Sequence, residues 1–196
     1  MKNIVVFASG YGSNFQAIID AVEAGRINAD IRGLIVNKTG IGAIKRACKH
    51  QVPYRVLNPR DFTRADLYAE DTLQQLHAWK PDLIVLAGYM LKVPDKVVDA
   101  FPGRIINIHP SLLPRFSGKG YYGLYVHQAV LDAGEKETGC TVHIVDNIYD
   151  NGPVIAQARV PVLSGDTAED ISKRVRKKEL ELLPGVIADL MNDPGK

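Results

Sequence analysis

The segment that decides the fold is Asn3–Ile18, NIVVFASGYGSNFQAI, where an apolar run meets a glycine-rich turn. The run Asn3–Ser9 does not alternate apolar with polar side chains, which is typical of a strand buried on both faces of a parallel sheet. From Asn14 to Ala24 the apolar residues recur at helical spacing, so we predict a helix there. A strand, a tight turn and a helix in this order are the first unit of a β-α-β fold.

Similar units recur along the chain. We predict further strands at Ile31–Asn37, Leu83–Gly88 and Ile105–Ile108, and further helices over residues 42–50 and 65–79. Because most of these strand segments are again apolar throughout, the pattern predicts an α/β fold that is doubly wound around a mostly parallel central sheet, with a Rossmann-like N-terminal half.

The pattern changes in the C-terminal part. Two alternating segments, Thr141–Val145 and Val154–Val160, predict an antiparallel portion of the sheet. The segment GDTAED at 165–170 offers an N-cap and an acidic first turn for a long helix that reaches about Met191. We expect Pro184 to kink or split this helix, because proline cannot donate the helical hydrogen bond.

Length and composition favour one domain. The 196 residues are 46% hydrophobic and 23% charged, which allows one sizeable buried core. We therefore predict a single domain over 1–196, with a mononucleotide-binding-like half at 1–100 and a catalytic half at 101–196. No run of 18 apolar residues and no export signal is recognisable, so we expect a cytoplasmic protein without a membrane partner.

Charge and cysteine content exclude further classes. The formal net charge is +2, and the extended basic run, Lys173–Lys178, is followed at once by glutamates. We interpret this run as a solvated helix face, with a smaller allowance for phosphate attraction, and expect no nucleic-acid partner. Cys48 and Cys140 lie far apart and outside any CxxC pattern, so neither a disulfide scaffold nor a structural zinc site is indicated.

The glycine loop Ser9–Asn14 suggests an anion site, since a strand-to-helix turn presents free N–H groups to a phosphate. It differs from a dinucleotide fingerprint, whose third glycine would fall at Phe15, and it lacks the Gly-Lys-Ser/Thr of a nucleoside triphosphate loop. The alternative is that the glycines serve only the geometry of the turn.

The segment NIHPSLLP at 107–114 carries the second candidate site. Asn107 and His109 lie two residues apart on a strand, so both side chains point to the same face at its carboxyl end. An amide donor beside an imidazole suits a carbonyl that develops negative charge, as in acyl transfer. A hydrogen-bonded structural histidine is the alternative, and we assign no catalytic role to the histidines at 50, 77 and 127. We expect no metal.

Three segments together carry a family resemblance: ASGYGSNFQAI at 8–18, NIHPSLLP at 107–114 and GCTVHIVDNIYDNGPVIAQARVPV at 139–162. In order and spacing the chain resembles the phosphoribosylglycinamide formyltransferase family, folate-dependent enzymes of purine biosynthesis. The resemblance implies small-molecule substrates, with 10-formyltetrahydrofolate as formyl donor and glycinamide ribonucleotide as acceptor, in a monomer or a homodimer.

The resemblance also implies roles for individual residues. The implied catalytic residues are Asn107, His109 and Asp150. The ribonucleotide phosphate is expected at Gly12, Ser13 and Asn14, and its ribose at Glu179. The folate is expected at Arg64, Met90, Leu91, Lys92, Val93 and Asn107. Leu91 stands where relatives usually have an arginine, and the loop 116–123 is longer than the common version and could form a lid.

These roles imply a mechanism. The acceptor amine attacks the formyl carbon directly, Asn107 and His109 stabilise the oxygen of the tetrahedral intermediate, and Asp150 orients the imidazole. Two alternatives remain open at this point: a hydrolase that removes formyl from the folate, and a regulator that binds a sugar phosphate without catalysis.

Overall fold

A computed structural model describes residues 1–192. Its strands and helices follow in the order β1 Lys2–Ala8, α1 Ser13–Glu23, β2 Ala29–Val36, α2 Gly42–Lys49, β3 Tyr54–Val56, α3 Ala65–Trp79, β4 Leu83–Leu86, α4 Asp95–Ala100, β5 Ile105–His109, α5 Leu124–Asp132, β6 Glu137–Ile144, β7 Val154–Pro161 and α6 Ala168–Asn192. None of the helices within 1–192 combines the length and the apolar character needed to cross a membrane.

One seven-stranded sheet forms the centre of the molecule, in the order β3-β2-β1-β4-β5-β6-β7. The first five strands in this order run parallel, whereas β6 and β7 are antiparallel to their neighbours. The predicted α/β fold with a mostly parallel sheet and an antiparallel portion is therefore confirmed.

Each face of the sheet is buried against helices. In β1, Ile4 and Val6 pack with α1 and α6, whereas Val5 and Phe7 pack with α3 and α4 on the opposite face. This explains the absence of alternation in the apolar segments, because a strand covered on both sides needs apolar residues at every position.

The topology places a crevice between β1 and β4. The chain leaves β1 toward β2 on one side, whereas β4 continues to β5 on the other, so the connections diverge at this point. Ligands of open α/β sheets bind in such a crevice, outside the carboxyl ends of the strands. The glycine loop follows β1, and the residues after β4 and β5 lie beside it.

Of the kink or split expected at Pro184, the split does not occur, since α6 continues through this residue as one helix. Interior proline costs about 3 kcal/mol. Burial of Leu183, Val186 and Ile187 against the core offsets that cost, at roughly 1.5–3 kcal/mol for each side chain. The start of α6 is capped as predicted, because the Asp170 N–H bonds Thr167 Oγ1 and the Thr167 N–H bonds the Asp170 carboxylate.

Candidate active site

A cavity of about 460 Å³ occupies the crevice. Its wall comes from the glycine loop, the ends of β4 and β5, the loop before α5, the loop after β6 and one face of α6. Residues from both halves of the chain thus meet in one place.

The glycine loop is held in shape by the start of α2. Gly12 has φ +80°, and a Cβ built on it would lie 2.8 Å from Ala43 Cα. The Ala43 N–H donates to the Gly10 carbonyl, and Arg46 both donates to the Tyr11 carbonyl and lies over the Tyr11 ring. Close backbone approach therefore requires glycine at position 12.

Helix α1 begins at Ser13 with its amino end facing the cavity. Because Gly12 is the N-cap residue, no side chain caps the first turn. The N–H groups of a first helical turn have no partner within the helix and attract an anion. This arrangement suits a phosphate at Gly12, Ser13 and Asn14.

Glu179 of α6 approaches the same helix. The Asn14 amide donates to Glu179 Oε2 at 3.0 Å, and the other amide atom, Asn14 Oδ1, is buried without a partner in the described residues. Burial raises the pKa of the Glu179 carboxyl, and the Asn14 bond and Arg176 oppose this only in part. The carboxylate can accept hydrogen bonds from hydroxyl groups of a ligand.

Asn107 is oriented by the neighbouring strand. Its cross-strand partner is His143 of β6, and the Asn107 amide donates to His143 Nε2 at 3.1 Å. The opposite ring nitrogen, His143 Nδ1, donates to the Ile144 carbonyl at 2.8 Å. Burial lowers the pKa of His143, which favours this neutral tautomer. Among residues 1–192, no hydrogen bond engages the second N–H of the Asn107 amide, which is available to a ligand.

His109 lies beside Asp150. The Nε2–H group donates to the Phe116 carbonyl at 2.8 Å, whereas Nδ1 lies 3.5 Å from Asp150 Oδ1. A carbonyl can only accept, so the neutral ring presents the Nδ1 lone pair toward the carboxylate. This pair can hold or release one proton at Nδ1.

Asp150 is positioned by its own loop. It adopts φ +53°, a left-handed conformation that aspartate tolerates better than most residues. Its Oδ2 accepts from the Gly118 N–H at 2.9 Å, and Oδ1 also lies 3.8 Å from His143 Nε2. The nearby Asp146 accepts hydrogen bonds from the Ile148 N–H and the Asn151 amide.

A smaller cavity of about 70 Å³ lies next to the first. Tyr89, Leu91, Asn107, Tyr149 and Asp150 line both cavities, so the two are continuous at the reacting groups. The rest of its wall includes the aliphatic side chains Leu86, Val93 and Val145. Such a wall suits a flat aromatic ring.

The residues expected at the folate divide between the two cavities. Met90 lines the larger one, Lys92 and Val93 the smaller one, and Leu91 both. Lys92 is already paired with Asp95 at 2.6 Å. Arg64 lines neither cavity and pairs with Asp66 on the surface.

Several cavity residues were not predicted from the sequence. Arg176 belongs to the basic run on α6 and lines the larger cavity. His127, which we had set aside, lines it too, and burial lowers the pKa of His127 to about 4. Ser9 joins the two crevice loops, because its hydroxyl accepts from the Met90 N–H. Alternating polar positions on β6 were the only signal for His143.

The chain is similar to known proteins over nearly its whole length. Residues 2–187 match the model of the formyl transferase family. Phosphoribosylglycinamide formyltransferase of Escherichia coli is 39% identical over 186 residues, which cover 95% of this chain and 85% of that protein. A solved structure of glycinamide ribonucleotide transformylase 1 from Symbiobacterium toebii superposes with a TM-score of 0.92 at 38% identity, over 98% of this chain and 88% of the other.

A chloroplastic phosphoribosylglycinamide formyltransferase of Vigna unguiculata is 39% identical over 192 residues. That match covers 98% of this chain but only 62% of the plant protein's length. The chain belongs to the formyl transferase family.

Proposed function

We propose that the protein transfers the formyl group of 10-formyltetrahydrofolate to the amino group of glycinamide ribonucleotide, a step of purine biosynthesis. The observation that carries this proposal is the convergence of Asn107, His109 and Asp150 with the glycine loop on one cavity. Family membership supports formyl chemistry, and the anion cradle supports a phosphorylated acceptor.

The ribonucleotide occupies the larger cavity. Its phosphate lies against the first turn of α1 at Gly12, Ser13 and Asn14, and the cation of Arg176 lies in the same wall. Glu179 accepts hydrogen bonds from the ribose hydroxyl groups. The amine is thereby directed toward Asn107.

The folate ring occupies the smaller cavity. Leu91 and Val93 contact the ring, and Met90 borders the passage to the ribonucleotide. Position 91 supplies no cation here, and Arg64 lies outside the cavity wall. Arg64 and Lys92 are each paired with a carboxylate, so either one would have to leave that partner to contact the folate tail.

The neutral amine attacks the formyl carbon, and the carbonyl oxygen gains negative charge. The free N–H of Asn107 donates to that oxygen, which in comparable sites is worth about 3–4 kcal/mol. His109, once protonated at Nδ1, donates to the same oxygen. Asp150 accepts the proton that leaves the amine, directly or through water, and returns it to the folate nitrogen, so that collapse of the intermediate breaks the bond to that nitrogen and releases tetrahydrofolate.

An assay with both substrates tests the proposal. We expect formylated ribonucleotide and tetrahydrofolate in equal amounts, and no release of formate when the ribonucleotide is left out. Formate released without the ribonucleotide would identify a hydrolase instead. Binding of the ribonucleotide without any turnover would identify a regulator.

A further inference from the structure

The loop before α5 carries a cation, Lys119, over the larger cavity. Lys119 is exposed and lines the cavity wall, and among residues 1–192 no ion pair or hydrogen bond engages its ammonium group. A cation in a concave wall attracts an anionic ligand more strongly than one on a convex surface.

The backbone fixes the place of Lys119. It stands between Gly118 at φ +91° and Gly120 at φ +102°, and the Tyr121 N–H donates to the Gly118 carbonyl. Residues with a Cβ rarely adopt such angles, so the two glycines determine the turn that presents the lysine. The ring of Phe116 packs edge-on against Tyr121 below this turn.

The same loop is attached to the reacting groups. The Gly118 N–H donates to Asp150, and the Phe116 carbonyl accepts from His109. Lys119 is therefore one residue away from a group that positions the proposed catalytic carboxylate. A ligand that holds Lys119 in place also favours this position of the loop.

The charges of the wall indicate which anion Lys119 takes. Lys119 and Arg176 are the two lysine or arginine residues that line the larger cavity, and Lys119 does not line the smaller one. They face the cavity that also contains the amino end of α1. Neutral His127 adds no charge there at pH 7, because burial lowers the pKa of this histidine to about 4.

We propose that Lys119 is a further substrate-binding residue, which contacts the phosphate of the ribonucleotide. This rests on the proposed function, since it takes the phosphate to occupy the larger cavity. The contact between Lys119 and the phosphate would couple ligand binding to the position of Asp150. The phosphate stabilises the loop before α5, and this loop in turn positions Asp150.

The test compares Lys119→Ala with Lys136→Ala, which removes the same charge from an exposed lysine that lines neither of the two substrate cavities. Calorimetry with the ribonucleotide should give a Kd about tenfold higher for Lys119→Ala, or about 1.4 kcal/mol. Lys136→Ala should match the parent protein. Higher salt should narrow the difference, because it screens exposed charges.

Further measurements distinguish a contact between Lys119 and the phosphate from a general effect of the substitution on the protein. Lys119→Arg should restore most of the affinity, and competition by inorganic phosphate should weaken in Lys119→Ala. An unchanged Kd for the ribonucleotide would overturn the proposal, as would a rise confined to the KM for the folate. If the parent protein binds the ribonucleotide without transferring formyl, the proposed function fails, while the binding comparison still decides the role of Lys119.

Discussion

We expect His143 to act on the proposed chemistry by orienting Asn107. Its Nε2 accepts one N–H of the carboxamide, and its Nδ1–H is held by the Ile144 carbonyl. The side-chain amide could otherwise rotate and present oxygen in place of nitrogen to the substrate. The lowered pKa of His143, which burial causes, keeps the ring able to accept this bond at neutral pH.

We predict that His143→Leu lowers kcat by about a hundredfold, because a small misplacement of a reacting group has an effect of this order. The Kd for the ribonucleotide should change little, since the phosphate cradle lies elsewhere. Calorimetry and steady-state kinetics measure the two quantities, and thermal unfolding checks the fold. His77→Ala, outside both substrate cavities, is the matched control. An unchanged kcat in His143→Leu would remove this role.

Glu179 affects both the affinity for the ribonucleotide and the stability of the folded protein. Burial raises the pKa of its carboxyl above the ordinary value of 4.5, so the folded state binds this proton more tightly than the unfolded state. Stability therefore falls as the pH rises from the unfolded pKa through the folded pKa.

We predict that Glu179→Gln raises the Tm relative to the parent protein at pH 7, and that the gain shrinks toward pH 4, where the glutamic acid is already protonated. The same substitution should weaken ribonucleotide binding. Thermal unfolding over this pH range measures the first effect. A gain that grows on acidification would contradict the assigned direction of the pKa shift.

The sequence allowed some site residues to be predicted better than others. Asn107 and His109 follow from strand periodicity alone, because positions two apart share a face. Asp150 came only from the family resemblance, since its approach to His109 depends on the left-handed turn of a loop. Arg176 could not be distinguished from the other cations of its run, because the rotation of α6 against the sheet is set by packing.

Among the elements, the turn between β1 and α1 depends on glycine at one position. Gly12 combines a positive φ with close contact to α2, whereas Gly10 has no neighbour within 4 Å of a built Cβ and no positive φ. The backbone therefore requires glycine at position 12 but not at position 10.

We predict that Gly12→Ala lowers stability by about 1–3 kcal/mol, because alanine is strained at this backbone conformation and its Cβ meets Ala43. Ribonucleotide affinity should fall as the loop shifts. Gly10→Ala should keep the parent stability and is the matched control. Denaturant unfolding of both variants measures this, and equal losses in the two would show that the contact with α2 is unimportant.

Long apolar elements were predicted well and short ones were not. The segment Ala65–Trp79 matches the expected helix, but Leu67 lies exposed and does not share the buried face of Leu76. Strand β3 has three residues and α4 has six, too few for a periodic signal. The split expected at Pro184 does not occur, because burial of its helix, a tertiary effect, outweighs the local cost.

At the scale of the whole molecule, one sheet joins the two halves of the chain. Strand β1 leads into the anion cradle, β5 brings the amide and the imidazole, and the loop after β6 brings the carboxylate. The loop after β6, with Asp150 in a left-handed conformation, places Asp150 Oδ1 3.5 Å from His109 Nδ1. The sequence indicated that residues from both halves of the chain form the site. The register of the strands that brings these residues together emerged only from the structure.

The most direct test of the account is the single-turnover rate of formyl transfer by Asp150→Asn, with both substrates saturating. The asparagine keeps the size of the side chain but cannot take the proton. We predict a rate about 10²–10⁴-fold lower than that of the parent protein, the usual contribution of a positioned acid or base, with an unchanged Kd for the ribonucleotide. A rate equal to that of the parent protein would contradict the assignment of this cavity as the reacting centre.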